Sequence, residues 1–271
     1  MTRAMAPRSY LFVPADRPER YAKALASGAD AVIVDLEDAV AASAKDRARE
    51  SLAAWLDAGG ATSGIVVRIN DAASAGFDAD LEIVARAGVA AVVVAKAESI
   101  DDLARVRAAA PAAALLPLIE TATGIDRVRE IARAPGVQRL VFGSIDLQLD
   151  LGIEGDDDEL LVFRSALVLA SRLAALDSPV DGVSTAIDDA AALAADTRRA
   201  RRLGFGAKLC IHPRQVAAVH AAFAPTADEL AWAEHVVAAA TASSGGAVAV
   251  DGRMVDRPVL LRAQALLSHK P

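Results

Sequence analysis

Two carboxylates, Glu120 and Asp146, each follow a short apolar run and are the side chains best suited to hold a metal ion. Two carboxylate ligands, completed by water and by substrate oxygens, give the octahedral oxygen shell that Mg²⁺ prefers. We therefore expect Glu120 and Asp146 to bind Mg²⁺, with Mn²⁺ as a second possibility. The alternative is that both side chains only cap the helices that follow them. With four His and one Cys in the chain, a zinc site is not expected.

Arg68, between valine and isoleucine in another apolar run, is expected to present its guanidinium to an anion. A guanidinium grips a carboxylate with two hydrogen bonds, and a nearby metal ion binds one carboxylate oxygen and the adjacent carbonyl. This combination suits a 2-oxo acid such as pyruvate, oxaloacetate or glyoxylate. Because a metal ion beside such a carbonyl stabilises an enolate, the expected chemistry makes or breaks a carbon–carbon bond. The alternative is a structural salt bridge from Arg68 to Asp35 or Glu37.

Lys96 ends a further apolar run, and we place it among the substrate-binding residues together with Arg68, Glu120 and Asp146. Three roles are open to its amine: a Schiff base with a carbonyl substrate, an ion pair with Glu37, or contact with a phosphate. The metal pair makes the Schiff base the weaker of these ideas.

The elements that position these residues alternate between short β-branched runs and longer alanine-rich stretches with charges at helical spacing. Eight strands separated by helices predict an α/β fold, a (β/α)₈ TIM barrel, whose active site lies at the C-terminal ends of the strands. A doubly wound sheet is the rival, but no glycine-rich phosphate loop follows the first strand. The strands are expected at Tyr10 to Pro14, Ala31 to Leu36, Ile65 to Asn70, Ala91 to Lys96, Leu115 to Glu120, Arg139 to Ser144, Val180 to Val183 and Ala207 to Ile211.

Strand alternation places Ser144 and Asp146 on a common face, as it does Asp35 with Glu37. After the eighth strand come helices near 213–222 and 226–242, a Gly/Ser turn, a short hairpin and a last helix from about 257. The chain is therefore expected to divide into a catalytic barrel, 1–222, and a helical C-terminal extension, 223–271.

Composition limits the class of partner and the compartment. Twenty-nine Lys and Arg against 36 Asp and Glu leave a formal charge of −7, and no basic run is present, so neither nucleic acid nor an anionic membrane is the expected partner. The single Cys210 excludes an intrachain disulfide and favours a reducing, cytoplasmic setting.

Eight stretches, in order, resemble the citrate lyase β-subunit-like proteins of the HpcH/HpaI aldolase superfamily. Each stretch alone is a weak signal, whereas eight in family order across nearly the whole chain are specific. They are Arg8 to Arg20, Asp35 to Val40, Val67 to Asn70, Lys96 to Ser99, Leu118 to Ala122, Phe142 to Leu147, Gly204 to Pro213 and Asp251 to Pro258.

The resemblance implies a Mg²⁺-dependent barrel that cleaves or forms carbon–carbon bonds in short 3-hydroxy acids or their CoA thioesters, usually as a homotrimer or hexamer. Carried over by position, Glu120 and Asp146 correspond to the metal ligands and Arg68 to the carboxylate clamp. Glu37 and Asp38 correspond to groups that hold metal-bound water and orient Arg68.

The resemblance also implies a role for the C-terminal extension as a lid exchanged between subunits. Asp256 corresponds to an acid/base that acyl-CoA lyases of this family supply from a neighbouring subunit. Its alternative role is to cap the last helix, ahead of Arg257 and Pro258.

Two positions depart from the family pattern. Ile145 stands where many relatives carry a carboxylate, and on a regular strand its side chain would face away from Asp146. Ala95 stands where proline is frequent, beside the loop expected to meet a CoA chain. The substrate therefore stays open, as do three alternatives: a free 2-oxo acid aldolase, a CoA thioesterase, and a partner-dependent or non-catalytic subunit that works with an acyl-carrier protein.

Overall fold

A computed structural model describes residues 6–60, 64–242, 248–250 and 253–268. Eight parallel strands form a closed barrel in chain order, with β8 pairing back onto β1. The (β/α)₈ barrel predicted from the sequence is thus confirmed. The strands are β1 Ser9–Pro14, β2 Ala31–Asp35, β3 Ile65–Ile69, β4 Val89–Val94, β5 Ala114–Ile119, β6 Val141–Phe142, β7 Val180–Asp181 and β8 Ala207–Cys210.

Helices connect successive strands and cover the barrel, as parallel pairing requires. Those of the barrel unit are α1 Tyr21–Leu25, α2 Lys45–Asp57, α3 Phe77–Val84, α4 Ile100–Ala109, α5 Ala122–Asp126, α6 Val128–Ile131, α7 Ser144–Leu151, α8 Leu161–Leu173 and α9 Ala190–Leu203. A helix α10, Arg214–Phe223, follows β8.

The barrel interior is filled by apolar side chains that alternate along the strands, including Ile33, Val93, Leu118 and Leu209. Because every second residue points inward, the next inward positions at the C-terminal ends of β2, β3 and β5 carry the polar side chains of the mouth. The apolar layers therefore support a polar layer built from strand ends.

The sixth strand differs from its prediction. It ends at Phe142, and helix α7 begins at Ser144, so Ser144 and Asp146 do not share a strand face. Both residues lie in the first turn of a helix, where successive side chains are about 100° apart. The expectation that Ile145 faces away from Asp146 across a strand is wrong for the same reason.

The described residues from Ala221 onward form a second compact unit, separate from the unit that ends at His220. Its elements beyond the end of α10 are α11 Ala227–Ala242, the antiparallel pair β9 Val248–Val250 and β10 Arg253–Val255, and α12 Arg257–Ser268. Ala233, Val236, Val255 and Ala263 form its small core. The boundary expected from the sequence, after residue 222, lies two residues later.

None of the described helices is both long enough and apolar enough to span a lipid bilayer.

Candidate active site

A cavity of about 410 Å³ opens at the C-terminal mouth of the barrel. Its size falls in the range of small-molecule sites. Polar and apolar side chains both line it: Phe12, Pro14, Asp35, Asp38, Ala39, Arg68, Leu118, Glu120, Phe142, Ser144, Ile145, Asp146, Val183, Leu209 and Ile211, with Gly143 between them. Arg68, Asp38, Glu120 and Asp146, all predicted site residues, are brought together here.

Arg68 is anchored by two carboxylates. Its Nε and Nη2 donate to the two oxygens of Asp35, at 2.7 and 2.5 Å, and its Nη1 lies 3.0 Å from Glu37 Oε2. Its guanidinium carbon is 4.7 Å from the centre of the Phe12 ring. Burial alone would lower the pKa of Arg68, but the Asp35 charge raises it, so the guanidinium stays charged. Since a guanidinium has five N–H groups, at least two remain for a ligand.

The salt bridge considered as an alternative role for Arg68 is therefore present, and it fixes the guanidinium without using up its donors. The resemblance to the family implies that Glu37 and Asp38 orient Arg68. The described contacts pair Arg68 with Asp35 and Glu37, and the backbone N–H of Asp38 donates to Glu37 Oε2. Asp35 was missed as a site residue, although its position at the end of β2 next to Arg68 in the register was a signal.

Lys96 links two of the site carboxylates through different atoms. Its backbone N–H donates to Glu120 Oε1 at 2.9 Å, and its Nζ donates to Glu37 Oε1 at 3.1 Å. The residue has φ of +44°, a left-handed conformation that is uncommon for a residue with a side chain. Of the roles left open by the sequence, the ion pair with Glu37 is the one present.

Glu37 is held between two cations. Burial would raise its pKa, but the charge of Arg68 and the hydrogen bond and charge of Lys96 keep the pKa below its ordinary value. Glu37 is therefore a carboxylate at neutral pH. Together with Asp35 it balances the charges of Arg68 and Lys96.

Glu120 is the most confined carboxylate that lines the mouth apart from Asp35, with 2% of its surface exposed. Its Oε2 and Cβ lie so close to Gly143 that a methyl group at position 143 would overlap them. Burial, and next the negative charge of Asp146, raise the pKa of Glu120 to about 8. The negative charges of Glu120 and Asp146 thus disfavour each other, and the Lys96 N–H and the charge of Arg68 offset this only in part.

Neither of these side chains acts as a helix cap, the alternative weighed from the sequence. Thr121 caps α5 by accepting from the backbone N–H of Gly124 at 3.0 Å. Asp146 lies in the first turn of α7, where the positive end of the helix dipole favours a carboxylate. Burial, together with the charges of Glu37 and Asp146, raises the pKa of Asp38, a third carboxylate at this mouth.

The donor set fits a hard divalent cation that keeps open positions. No group of three or more His, Cys, Asp or Glu in metal-binding arrangement occurs among the described residues. What remains is the carboxylate of Glu120, which is confined and has a raised pKa, beside the carboxylate of Asp146. Mg²⁺ in proteins is commonly bound through one or two carboxylates with water and substrate oxygens. Glu120 and Asp146 are therefore the residues that would hold the ion.

A second layer of bonds holds the segment after β2. Lys45 Nζ donates to the carbonyls of Leu36 and Glu37, at 2.9 and 3.1 Å, and to the side-chain oxygen of Asn70. Asn70 Nδ2 donates to Asp80 at 2.6 Å. These residues, which sequence reasoning did not use, fix the backbone from which Glu37 projects.

Asp256 lies in the second unit, and its position is described only within that unit. Its Oδ1 accepts from the backbone N–H of Val259 at 3.2 Å, and its carbonyl accepts from the N–H of Leu260. The helix-capping role is therefore present. The acid/base role remains a prediction.

Comparison with known proteins finds one family model and several relatives that are similar to this chain over most of its length. Residues 8–213 match the family model described as HpcH/HpaI aldolase/citrate lyase. A citrate lyase subunit beta-like protein of Deinococcus radiodurans is 39% identical, over 97% of each chain. A (3S)-malyl-CoA thioesterase of Cereibacter sphaeroides is 34% identical, over 97% of this chain and 96% of its own.

Among solved structures, CitE from Mycobacterium tuberculosis in complex with magnesium, acetoacetate and coenzyme A superposes with a TM-score of 0.87. The two sequences are 38% identical, and the alignment covers 98% of each chain. The barrel and its mouth thus have a counterpart whose ligands include a metal ion, an oxo acid and a CoA.

Proposed function

The chain belongs to the HpcH/HpaI aldolase/citrate lyase family, and we propose that it is a Mg²⁺-dependent carbon–carbon lyase. Its substrate is a short 3-hydroxy acid carried as a CoA thioester, of the malyl-CoA or citramalyl-CoA type. The products are a 2-oxo acid and an acyl-CoA. The observation that carries the proposal is the acidic pair Glu120 and Asp146 in one cavity with an arginine, Arg68, whose orientation is fixed.

Recognition of the substrate begins at Arg68. The carboxylate of the substrate accepts the N–H groups that Asp35 and Glu37 leave free, in the geometry a guanidinium provides for a carboxylate. Because Arg68 is already locked by its two partners, little side-chain entropy is lost when the substrate binds. Glu120 and Asp146 would hold Mg²⁺, which when bound would supply Lewis-acid stabilisation of negative charge on the substrate oxygen.

In the cleavage direction, a base takes the hydroxyl proton, and the bond between the carbinol carbon and the neighbouring methylene breaks. The carbinol carbon becomes the carbonyl of the 2-oxo acid. The electron pair passes to the methylene carbon as the enolate of the acyl-CoA, which an acid then protonates to a methyl group. In the reverse direction the same group removes a methyl proton, and we assign that group to Asp256.

We further propose that the second unit is a lid and that Asp256 completes the site of a neighbouring subunit in a homotrimer or hexamer. Active-site sharing has a direct test in subunit mixing. Asp256→Ala and Arg68→Ala proteins are each expected to be inactive, and hetero-oligomers refolded from both should regain activity. Absence of complementation, with mixed oligomers demonstrated, would place Asp256 outside the site of its neighbours.

To test the main proposal, the purified protein is incubated with Mg²⁺ and either malyl-CoA or citramalyl-CoA. The CoA products are then separated and identified. Acyl-CoA with an equimolar 2-oxo acid identifies the lyase. Free CoA with the hydroxy acid intact identifies a thioesterase, the second candidate, which the name of one relative favours. Turnover only after addition of an acyl-carrier protein identifies a dependent subunit.

Arg68→Lys, which should lower turnover, tests the clamp in this assay, and Arg86→Lys is its matched control. Lysine keeps the charge but loses the two-pronged bond to Asp35. Arg86→Lys makes the same change at a surface ion pair with Asp57 and should leave turnover unchanged.

A further inference from the structure

The mouth cavity is short of positive charge. Among the described residues that line it, Arg68 is the sole cation, against the carboxylates of Asp35, Asp38, Glu120 and Asp146. Even with a divalent ion bound, four carboxylates against one guanidinium and the ion leave a formal charge of −1. A substrate with one carboxylate pairs that group with Arg68, whereas a second carboxylate finds no cation.

The sector of the cavity formed by β1, β7 and β8 is lined by apolar side chains. Phe12 comes from β1, Val183 follows β7, and Leu209 and Ile211 belong to or follow β8. These strands are neighbours in the closed barrel, so their side chains form one continuous wall. A carboxylate placed against such a wall loses hydration without gaining a partner, while an alkyl group gains from burial.

Ile145 adds a further apolar side chain to the lining of the cavity. It lies in the first turn of α7, directly before Asp146, and 45% of its surface is exposed although its side chain is apolar. It lines the main cavity and also a smaller one of about 180 Å³ that continues past Val183 toward Ser184.

We infer that the cavity selects a monocarboxylic 2-oxo acid with an alkyl tail over a dicarboxylic one, with Ile145 as a specificity-determining residue. The inference rests on the proposed function and deepens it. The favoured cleavage product is pyruvate or 2-oxobutyrate, and the 3-hydroxyacyl thioester that yields it carries an alkyl group on its carbinol carbon. Oxaloacetate is disfavoured because its second carboxylate meets the apolar wall.

The test is calorimetric titration of the full chain, loaded with Mg²⁺, with glyoxylate, pyruvate, 2-oxobutyrate and oxaloacetate. Pyruvate and 2-oxobutyrate should bind at least about tenfold more tightly than oxaloacetate, the range over which small differences in substituents discriminate. Glyoxylate, which has no alkyl tail, should bind more weakly than 2-oxobutyrate.

Two variants separate the contributions of charge and apolar contact. Ile145→Lys supplies the missing cation and should raise oxaloacetate affinity about tenfold or more relative to pyruvate. Ile145→Ser removes the apolar contact and should weaken the binding of 2-oxobutyrate without strengthening the binding of oxaloacetate. Ile187→Lys is the matched control, because Ile187 is also exposed, at 39%, but does not line the cavity. Melting temperature and Mg²⁺ affinity are measured for each variant.

The outcomes distinguish the inference from the function on which it rests. Mg²⁺-dependent binding of oxo acids with oxaloacetate equal to or tighter than pyruvate overturns the inference and leaves the proposed lyase standing. An unchanged preference in folded Ile145→Lys protein overturns the role of Ile145. Absence of Mg²⁺-dependent binding of all four acids overturns both the inference and the proposed function.

Discussion

Replacement of Glu120 by glutamine should stabilise the metal-free protein and abolish its response to Mg²⁺. Glutamine keeps the size of the side chain and an oxygen that can accept the Lys96 N–H. What it removes is a negative charge that burial and Asp146 disfavour. The same substitution removes a proposed metal ligand, so stability and function should change in opposite directions.

The magnitude follows from the pKa of Glu120, which burial raises from 4.5 to about 8. Each pH unit corresponds to 1.36 kcal/mol, so the ionised carboxylate costs the folded protein about 5 kcal/mol. The folded state holds the proton more tightly than the unfolded chain. The free energy of unfolding of the metal-free wild type should therefore fall as the pH rises from about 4.5 through about 8, and then level off.

The assay is urea unfolding with EDTA across this pH range, for wild type, Glu120→Gln and Glu98→Gln. Glu98 accepts from Thr121 nearby but does not line the cavity, so its variant is the matched control. We expect the Glu120→Gln variant to exceed wild type by about 2–5 kcal/mol above pH 8, with the gain shrinking toward pH 5. Added Mg²⁺ should stabilise wild type and the control but not Glu120→Gln.

Two results would refute this reasoning. A metal-free Glu120→Gln protein less stable than wild type above pH 8 would mean that the carboxylate is not under strain in the folded state. Equal stabilisation of variant and wild type by Mg²⁺ would mean that the ion binds elsewhere.

Three further substitutions test individual contacts of the site. Arg68→Lys should weaken oxo acid binding by about 100-fold, because the paired hydrogen bonds to Asp35 and to substrate are lost, and Mg²⁺ affinity should change little. Calorimetry measures both affinities. Unchanged oxo acid affinity would show that Arg68 does not bind the substrate carboxylate. Gly143→Ala places a methyl group against Glu120 and should lower Mg²⁺ affinity by about tenfold or more. A variant that binds Mg²⁺ with wild-type affinity would contradict the packing of Glu120 against this glycine. Lys96→Gly keeps the backbone N–H that donates to Glu120, and glycine readily adopts the positive φ, so Mg²⁺ affinity should persist. Turnover should fall because Glu37 loses its ammonium partner. Loss of Mg²⁺ binding would show that the side chain of Lys96, not its backbone, supports Glu120.

The strands and their order follow from sequence pattern because a parallel barrel buries both faces of each strand. Runs such as Ile65–Ile69 and Val89–Val94 are rich in valine and isoleucine and are separated by alanine-rich stretches with charges at helical spacing. The polar residue that ends each run then marks the mouth, so Arg68 and Glu120 could be identified before their surroundings were known.

The start of helix α7 could not be predicted from the sequence pattern, for a physical reason. From Ser144 to Leu151 polar and apolar residues alternate strictly, the pattern of a half-buried strand, yet the segment is a helix ended by Gly152 in the left-handed conformation. Leu149 is left 83% exposed as a result. Local pattern therefore hid the position of Ile145, which lines the cavity instead of lying behind Asp146.

Contacts that depend on backbone conformation also lie beyond sequence pattern. The left-handed turn at Lys96 directs its N–H to Glu120 and its ammonium to Glu37, and no spacing rule indicates that a lysine adopts it. The pairing of Arg68 with Asp35 was considered from the sequence only as a competitor of substrate binding. In the structure the pairing leaves two N–H groups of the guanidinium for a ligand.

The central claim is that Glu120 and Asp146 hold the metal ion and Arg68 holds the carboxylate of an oxo acid beside it. Calorimetric titration with pyruvate, with and without Mg²⁺, tests it on wild type, on Glu120→Ala combined with Asp146→Ala, and on Arg68→Ala. We expect Mg²⁺-dependent binding of pyruvate that is lost in both variants, with Mg²⁺ binding itself kept in Arg68→Ala. Pyruvate binding that survives in the double variant, or that does not depend on Mg²⁺ in wild type, would contradict it.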